Sequence, residues 1–418
     1  MPATAVEKAS AASVRSAAHL AAEPAVADAL QWFSSERKWI NERHLEVCRV
    51  PAPTFQEQRR AEWIVAQLRA LGCDAKLDRA GNVVAYPTGQ HDGPMVALTA
   101  HLDTVLEPRS PEDIAFGREG ELTGPGVSDN GAGLVALLAV AATLRANPGL
   151  RGTPLPLVLV ANVGEEGEGN LSGMRYLCRQ SGMGSRITSF LVLDGPSTDH
   201  ITCRALASRR FEITCTGPGG HSWSDWGVGN PVHTMCRAIT FFTEQPMAAS
   251  PRSTFNFGLI EGGTSVNSIP GSARAKVDLR SESNARLDEM AAWLTASLER
   301  SLEIENDRAT GGRVAAKVRE IGSRPGGQLP GDARILQHVR AVDSHLRIRS
   351  YPDCASTDAN VPLSLGMQAI SIGAGGQGGG AHTPNEWFRP EGREVGLRRI
   401  LLTLILLMRD LDPLVATR

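Results

Sequence analysis

Four short apolar runs constrain this chain more than any other feature: "MVALTAH" at 95–101, "PLVLVAN" at 156–162, "FLVLD" at 190–194 and "MQAISI" at 367–372. A strand with one wet face alternates apolar and polar residues. Strands that are apolar at every position are covered on both faces, as in parallel sheets whose crossover helices pack above and below. Helical patterns lie between these runs. From Glu57 to Leu71 the apolar residues recur at helical spacing, and "SDNGAGLVALLAVAATLRANPG", 128–149, has Asp and Asn near its start and Asn-Pro-Gly to stop it. After about Ser208 the rhythm changes, because "RRFEITCTG" and "SARAKVDLRS" alternate as half-exposed strands do. With helices expected at 231–244 and 285–304, a strand at "FNFGLI" and another at 314–321, the order is β-α-β-β-α-β, the ferredoxin-like arrangement. The Gly/Pro-rich "GSRPGGQLPG", 322–331, reads as a return linker, after which a helix at 332–343, a strand and a terminal helix resume the first style. The expected fold class is α/β. A mostly parallel sheet flanked by helices is made of 1–208 and 322–418, with a ferredoxin-like α+β domain inserted at 209–321.

Two domains suit a chain of 418 residues. The 43 Lys plus Arg balance 45 Asp plus Glu without a basic stripe, which excludes a nucleic-acid partner. Seven scattered cysteines, at 48, 73, 178, 203, 215, 236 and 354, form no close pair. Neither a disulfide framework nor a thiolate zinc site is indicated, and a reducing, cytoplasmic location is expected. The Ala-rich start, Met1–Ala27, is interrupted by Glu7, Lys8, Arg15 and Glu23 and lacks the apolar segment of a signal peptide. "ILLTLILLM", 400–408, is about half of what a bilayer-spanning helix needs. It is predicted to be a buried terminal helix, with no membrane partner.

Acids and imidazoles gather where the predicted strands run out, which is where open α/β sheets place their ligands. In "HLDTV", His101 and Asp103 are two apart on a strand end, so they emerge on one side and can act as ligand and orienting neighbour. Asp129 lies in a glycine-rich turn before a helix, Asp194 ends "FLVLD", His382 lies in "GGGAHTPNEW", and "NVGEEGEGN" crowds Glu165, Glu166 and Glu168 into four positions. Each alone reads equally as a cap or a solvated turn. Jointly they are imidazoles and carboxylates without thiolates, a set suited to zinc or a similar divalent ion, or to two ions sharing one carboxylate. A cation would cancel the repulsion among the glutamates.

The ordered set "HLDTV", "GPGVSDNGAG", "NVGEEGEG", "VLDGP", "GPGGHSW", "NSIPG", "STDAN" and "GGGAHTPNEW" resembles the co-catalytic dinuclear zinc peptidase and aminoacylase family, which includes peptidase T, dipeptidases and glutamate carboxypeptidases. The resemblance runs from residue 50 through the last helix. It implies two divalent ions per chain, zinc or in its place cobalt or manganese, with Asp129 bridging. His101 and Asp194 complete one site, and Glu166 and His382 the other. It also implies that Asp103 orients His101 and that Glu165 is the general acid/base; Glu168 has no role. The inserted domain is then a lid and dimerisation domain. His221 of "GPGGHSW" would stabilise the tetrahedral oxyanion in the neighbouring subunit of a homodimer, and Asn267 and Arg280 would hold the substrate's carbonyl and carboxylate. A surface turn histidine and an ordinary strand arginine are the plain alternatives for His221 and Arg280.

A lid arginine implies a substrate with a free carboxylate, hence a small peptide or an N-acyl amino acid. An Asp at 194 resembles the di- and tripeptidase side of the family. The expected function is metal-dependent hydrolysis of short peptides by an exopeptidase of the aminopeptidase, peptidase T-like kind; an N-acyl amino acid amidohydrolase or carboxypeptidase is the alternative. From another class, "GAGGQG" at 373–378 satisfies the G-x-G-x-x-G pattern of dinucleotide-binding folds, so a nucleotide-dependent oxidoreductase is the rival. The two prolines and further glycines that follow make a poor helix start for holding a pyrophosphate. A non-catalytic binding protein is the third reading, against which the retained ligands and Glu165 speak.

Overall fold

The four apolar runs lie side by side at the centre of a nine-stranded sheet in the computed structural model of the chain, which describes residues 11–411 except 118–119, 151–154 and 248. Its strands are β1 (Asp74–Leu77), β2 (Val83–Tyr86), β3 (Met95–His101), β4 (Leu157–Asn162), β5 (Ile187–Leu193), β6 (His200–Ala205), β7 (Gly327–Gln328), β8 (Tyr351–Ala355) and β9 (Gln368–Ile372). The order is β1-β2-β4-β3-β5-β9-β6-β7, with β8 on β6. Pairing is parallel across β4, β3, β5 and β9. Towards the edges β1–β2, β2–β4 and β6–β7 run antiparallel. A short turn joins β1 to β2, with the N–H groups of Ala80 and Asn82 donating to Asp78 Oδ1, and so short a connection permits only antiparallel pairing. Every residue of β3 and β4 is buried, as their unbroken apolar character requires.

Helices cover this sheet. Gly131–Ala146 is apolar all round and buried almost throughout; Asn130 caps it by accepting the Gly133 N–H at 3.1 Å. Arg393–Arg409, which contains the long aliphatic run, is buried as expected. Three helices not foreseen, Ala11–Ala22, Pro24–Ser35 and Arg37–Arg49, precede Gln58–Ala70. Positions 1–10 of the Ala-rich start lie outside the described residues. Among the described residues no helix is long and apolar enough to cross a membrane.

The "GAGGQG" run opens no helix: the next element is the strand Gln377–Gly379. Gly375 and Gly376 hold φ of +93° and +92°. A Cβ on Gly375 would come within 2.9 Å of Gly396 Cα on the terminal helix. These glycines let a loop and a helix backbone approach each other, and the dinucleotide reading falls with the missing helix.

The chain folds as two compact units, Met1–Ala205 with Gly327–Arg418, and Leu206–Gly326. These bounds lie a few residues from those read at 208/209 and 321/322. The strand Ala207–Thr216 starts early and Ala315–Arg324 runs through the first residues of the supposed linker, which pair with Ser208–Arg210. The second unit is a four-stranded antiparallel sheet in the order Ser253–Gly262, Ser272–Ser281, Ala207–Thr216, Ala315–Arg324. Helices Pro231–Thr243 and Asn284–Arg308 supply Met235, Phe242, Met290 and Leu298 to its core. Chain order and sheet order are those of the ferredoxin-like arrangement.

Candidate metal centre

Adjacent parallel strands bring their last residues together, and this explains how distant positions meet. β3 ends in His101, β5 runs into Asp194, and β4 leads through Asn162 into the Glu165–Glu166 segment. The N-terminus of helix Gly131–Ala146 presents Asp129, joined to Asn130 by a cis peptide. Asn130 pins that turn beside β5, donating to Leu193 O at 2.8 Å. His382 arrives on the loop after Gln377–Gly379 with φ +64°, a left-handed conformation that non-glycine residues adopt chiefly where function or packing enforces it.

Asp129 is central. Its Oδ1 lies 3.0 Å from His101 Nε2 and its Oδ2 3.1 Å from His382 Nε2, which is also 2.9 Å from Glu166 Oε1. Candidate ligand atoms of His101, Asp129 and Asp194 lie within 4.8 Å of one another, as do those of Asp129, Glu166 and His382 and those of His101, Glu165 and Glu166. All five expected ligands and Glu165 therefore converge, with Asp129 shared. Glu165 and Glu166 are buried.

Asp103 orients more than expected. His101 Nδ1 donates to the main-chain oxygen of Asp103 at 3.0 Å, closer than the 3.5 Å to its carboxylate, so Nδ1 carries a proton and Nε2 is the atom turned to the centre. The carboxylate itself serves the glutamates. Oδ1 accepts the Glu165 N–H, and Oδ2 accepts the Glu166 N–H and the Thr54 hydroxyl, each at 2.9 Å.

Other buried groups, not foreseen, do similar work. Glu57 Oε1 accepts the Gly164 N–H at 3.0 Å, and Asn162 Nδ2 donates to Asp358 at 2.6 Å beneath the glutamate segment. Glu386 accepts from Gly126, Ser128 and Asp129. Glu386 had a local hint, four residues after His382; nothing near Glu57 in sequence marks it.

The electrostatics call for positive charge. Loss of solvent, then the charges of Asp129 and Glu166, push the Asp194 carboxyl up to about 7. Hydrogen bonds to Asp129 and Glu166 raise His382 to about 10. Burial would lower His101, but bonds to Asp103 and Asp129 outweigh it and hold the imidazole well above its usual range. Two nitrogen and three carboxylate donors, sulfur-free and sharing one aspartate, fit a pair of borderline or hard divalent cations.

The remaining candidates lie in the second unit. His221 is exposed on Gly220–His221, which pairs with Ser268–Ile269. Its Nδ1 accepts the N–H groups of Trp223 at 3.2 Å and Ser224 at 3.4 Å, which leaves the ring proton on Nε2. Asn267 adjoins it through Ser222 N to Asn267 O at 3.0 Å. Arg280 is already engaged, its Nε donating to Asp278 at 2.6 Å.

A parallel sheet whose carboxyl ends gather imidazoles and carboxylates around a shared aspartate defines a class of α/β proteins built for paired cations. Residues 97–405 match the peptidase family M20/M25/M40, and the chain belongs to that family. A protein of Aspergillus terreus named "Probable carboxypeptidase" is 31% identical over 217 residues, 48% of this chain and 47% of the relative. The chain thus spans about half the length of this curated relative. A tripeptidase from Staphylococcus aureus has the same fold, with a TM-score of 0.72 at 18% identity, covering 89% of this chain and 98% of the other. A Bacillus subtilis protein described as a dinuclear metal binding peptidase of the M20 family gives 0.64 at 14%, covering 90% and 99%.

Proposed function

We propose that this chain is a metal-dependent amide hydrolase that cleaves short peptides as an exopeptidase of the di- and tripeptidase kind. The observation that carries the reading is Asp129, which offers one oxygen to each of two imidazoles. Two divalent cations, zinc or in its place cobalt or manganese, held by His101, Asp129 and Asp194 and by Asp129, Glu166 and His382, would supply Lewis acidity and a water that ionises near neutral pH.

Glu165 is the general acid/base. Its carboxylate, buried beside His101 and Glu166, takes a proton from the attacking water and returns it to the departing amine. Asp103 fixes the glutamate backbone so that Glu165 and Glu166 divide these tasks. By likeness to the family, the second unit acts as lid and homodimer contact, and the Nε2–H of His221 is the oxyanion donor. Asn267 would receive the substrate carbonyl, and the outer edge of the Arg280 guanidinium its carboxylate. The seven scattered cysteines support a reducing, cytoplasmic setting.

A second reading is a carboxypeptidase, as the Aspergillus relative is named, or an N-acyl amino acid amidohydrolase, towards which the name of a Bradyrhizobium diazoefficiens relative, succinyl-diaminopimelate desuccinylase, points. Metal analysis of the purified protein together with rates on a free tripeptide and an N-acetyl amino acid separates the two. Two ions per chain and preference for the unblocked peptide are expected. Preference for the acylated substrate selects the second reading, and absence of bound metal removes both. Glu165→Gln should keep its metal while turnover falls by about 100-fold or more; near-normal turnover removes the assignment.

A further inference from the structure

Glu386 belongs to no ligand set, yet its carboxylate is among the most constrained in the molecule. It is 3% exposed and takes three main-chain N–H groups of the turn that carries Asp129. Gly126 donates to Oε2 at 2.8 Å, and Ser128 and Asp129 both donate to Oε1 at 2.7 Å. The main chain closes the contact from the other side, Gly124 N donating to Glu386 O at 2.9 Å. Such convergence of successive N–H groups is an anion nest, here filled by the protein's own carboxylate. The nest has its own steric requirement: Gly126 holds φ +75°, and a Cβ there would collide with Thr104 Cγ2.

At the other end, Glu386 terminates the tight loop that presents His382. Thr383 N donates to Gly380 O at 3.1 Å and Glu386 N to Thr383 O at 3.3 Å, so few torsions separate the imidazole from the carboxylate. Asp129 and His382 are 253 residues apart in the chain, and the side chain of Glu386 ties their two loops together, bonded to the main chain of the first and four residues from the second.

We propose that Glu386 is a positioning residue that sets the separation of Asp129 and His382, and thereby the affinity of the cation pair. This rests on the two-cation reading of the centre. The competing role is that of a turn cap, which would steady the fold and leave the ligands indifferent to it.

The two roles part in a metal titration of chelator-treated full-length protein with Co2+, followed by calorimetry and by the visible absorption of the bound cobalt. Glu386→Gln keeps size but turns an amide NH2 on the nest. The expected result is a fall of roughly 10- to 100-fold in affinity for at least one of the two ions, with a changed cobalt spectrum. A folded variant with the parental isotherm and spectrum overturns the proposal, even if its unfolding temperature drops. Glu386→Asp keeps both oxygens and retracts them by one methylene. It is read by the same criteria should the Gln variant not fold. Failure of the parent itself to bind two Co2+ overturns the two-cation reading; a parent that binds two while both variants match it overturns only the role of Glu386.

Discussion

Asparagine in place of Asp103 tests how the centre is held. Asp103 is fully buried and accepts the N–H groups of Glu165 and Glu166 and the Thr54 hydroxyl, all at 2.9 Å. An asparagine has nearly the same shape but one acceptor oxygen. With that oxygen at the Oδ2 position, the Glu166 and Thr54 contacts survive without charge, while the amide NH2 confronts the Glu165 N–H. A bond to a charged acceptor contributes about 1.5–3 kcal/mol and a neutral one about 1 kcal/mol. Losing one charged bond and the charge assistance of the other two amounts to roughly 3 kcal/mol at the lower end of these ranges, or about 100-fold in kcat if it appears as misplacement of Glu165. His101 should keep its orientation, because its Nδ1 proton goes to the main-chain oxygen of residue 103, which the substitution keeps. Steady-state kinetics on a short peptide, with metal content measured on the same samples, should show kcat reduced by about 100-fold, KM changed by less than about threefold and both ions retained. A kcat within about threefold of the parent refutes the clamp, and loss of metal with unchanged kcat per loaded site returns the role to His101.

Two further predictions concern stability. Asp343 holds the fully buried Arg399 through paired bonds of 2.6 Å, joining the terminal helix to helix Arg334–Leu346. Asp343→Ala leaves that guanidinium unpaired and should cost about 3–5 kcal/mol in urea unfolding, most of it recovered in the double variant Asp343→Leu with Arg399→Met; a loss below about 1 kcal/mol refutes the pairing. In the second unit, burial would raise the Glu305 carboxyl, but the Asn230 N–H at 2.9 Å and Arg237 at 3.0 Å outweigh it and hold it below its usual range. A depressed carboxyl contributes stability that is complete above its unfolded value, about 4.3, and disappears as pH falls through the folded one. Between pH 5 and pH 3, about the span of that transition, the parent should therefore lose more stability than Glu305→Gln, and equal losses would show the depression to be absent.

The central strands were legible because burial on both faces leaves them mostly apolar and keeps charged residues out of them, so that a charged or imidazole group follows where the strand leaves the sheet. His101, Asp194 and the Glu165–Glu166 pair are conspicuous for that reason. The flanking strands were harder to read, since β7 has two residues and β8, paired parallel to β6, is partly exposed and carries Pro352 and Asp353 in place of an apolar run. The first two helices escaped because "VEKASAASVRSAAHLAAEPAVADALQ" shows composition without a clear apolar stripe.

The backbone partners of the clamping carboxylates could not be read. Glu386, Asp103 and Glu57 hold the ligand loops through main-chain N–H groups at sequence separations of 257, 62 and 107 residues. A main-chain N–H is the same in nearly every residue, so no residue type announces its partner. The amino-acid order by itself therefore determined which groups can bind cations and at which strand ends they emerge, because side-chain chemistry and burial pattern are local. Only the tertiary structure decided which carboxylates meet at the candidate centre and which face the backbone, because that depends on distant loops meeting where little solvent remains to satisfy their N–H groups.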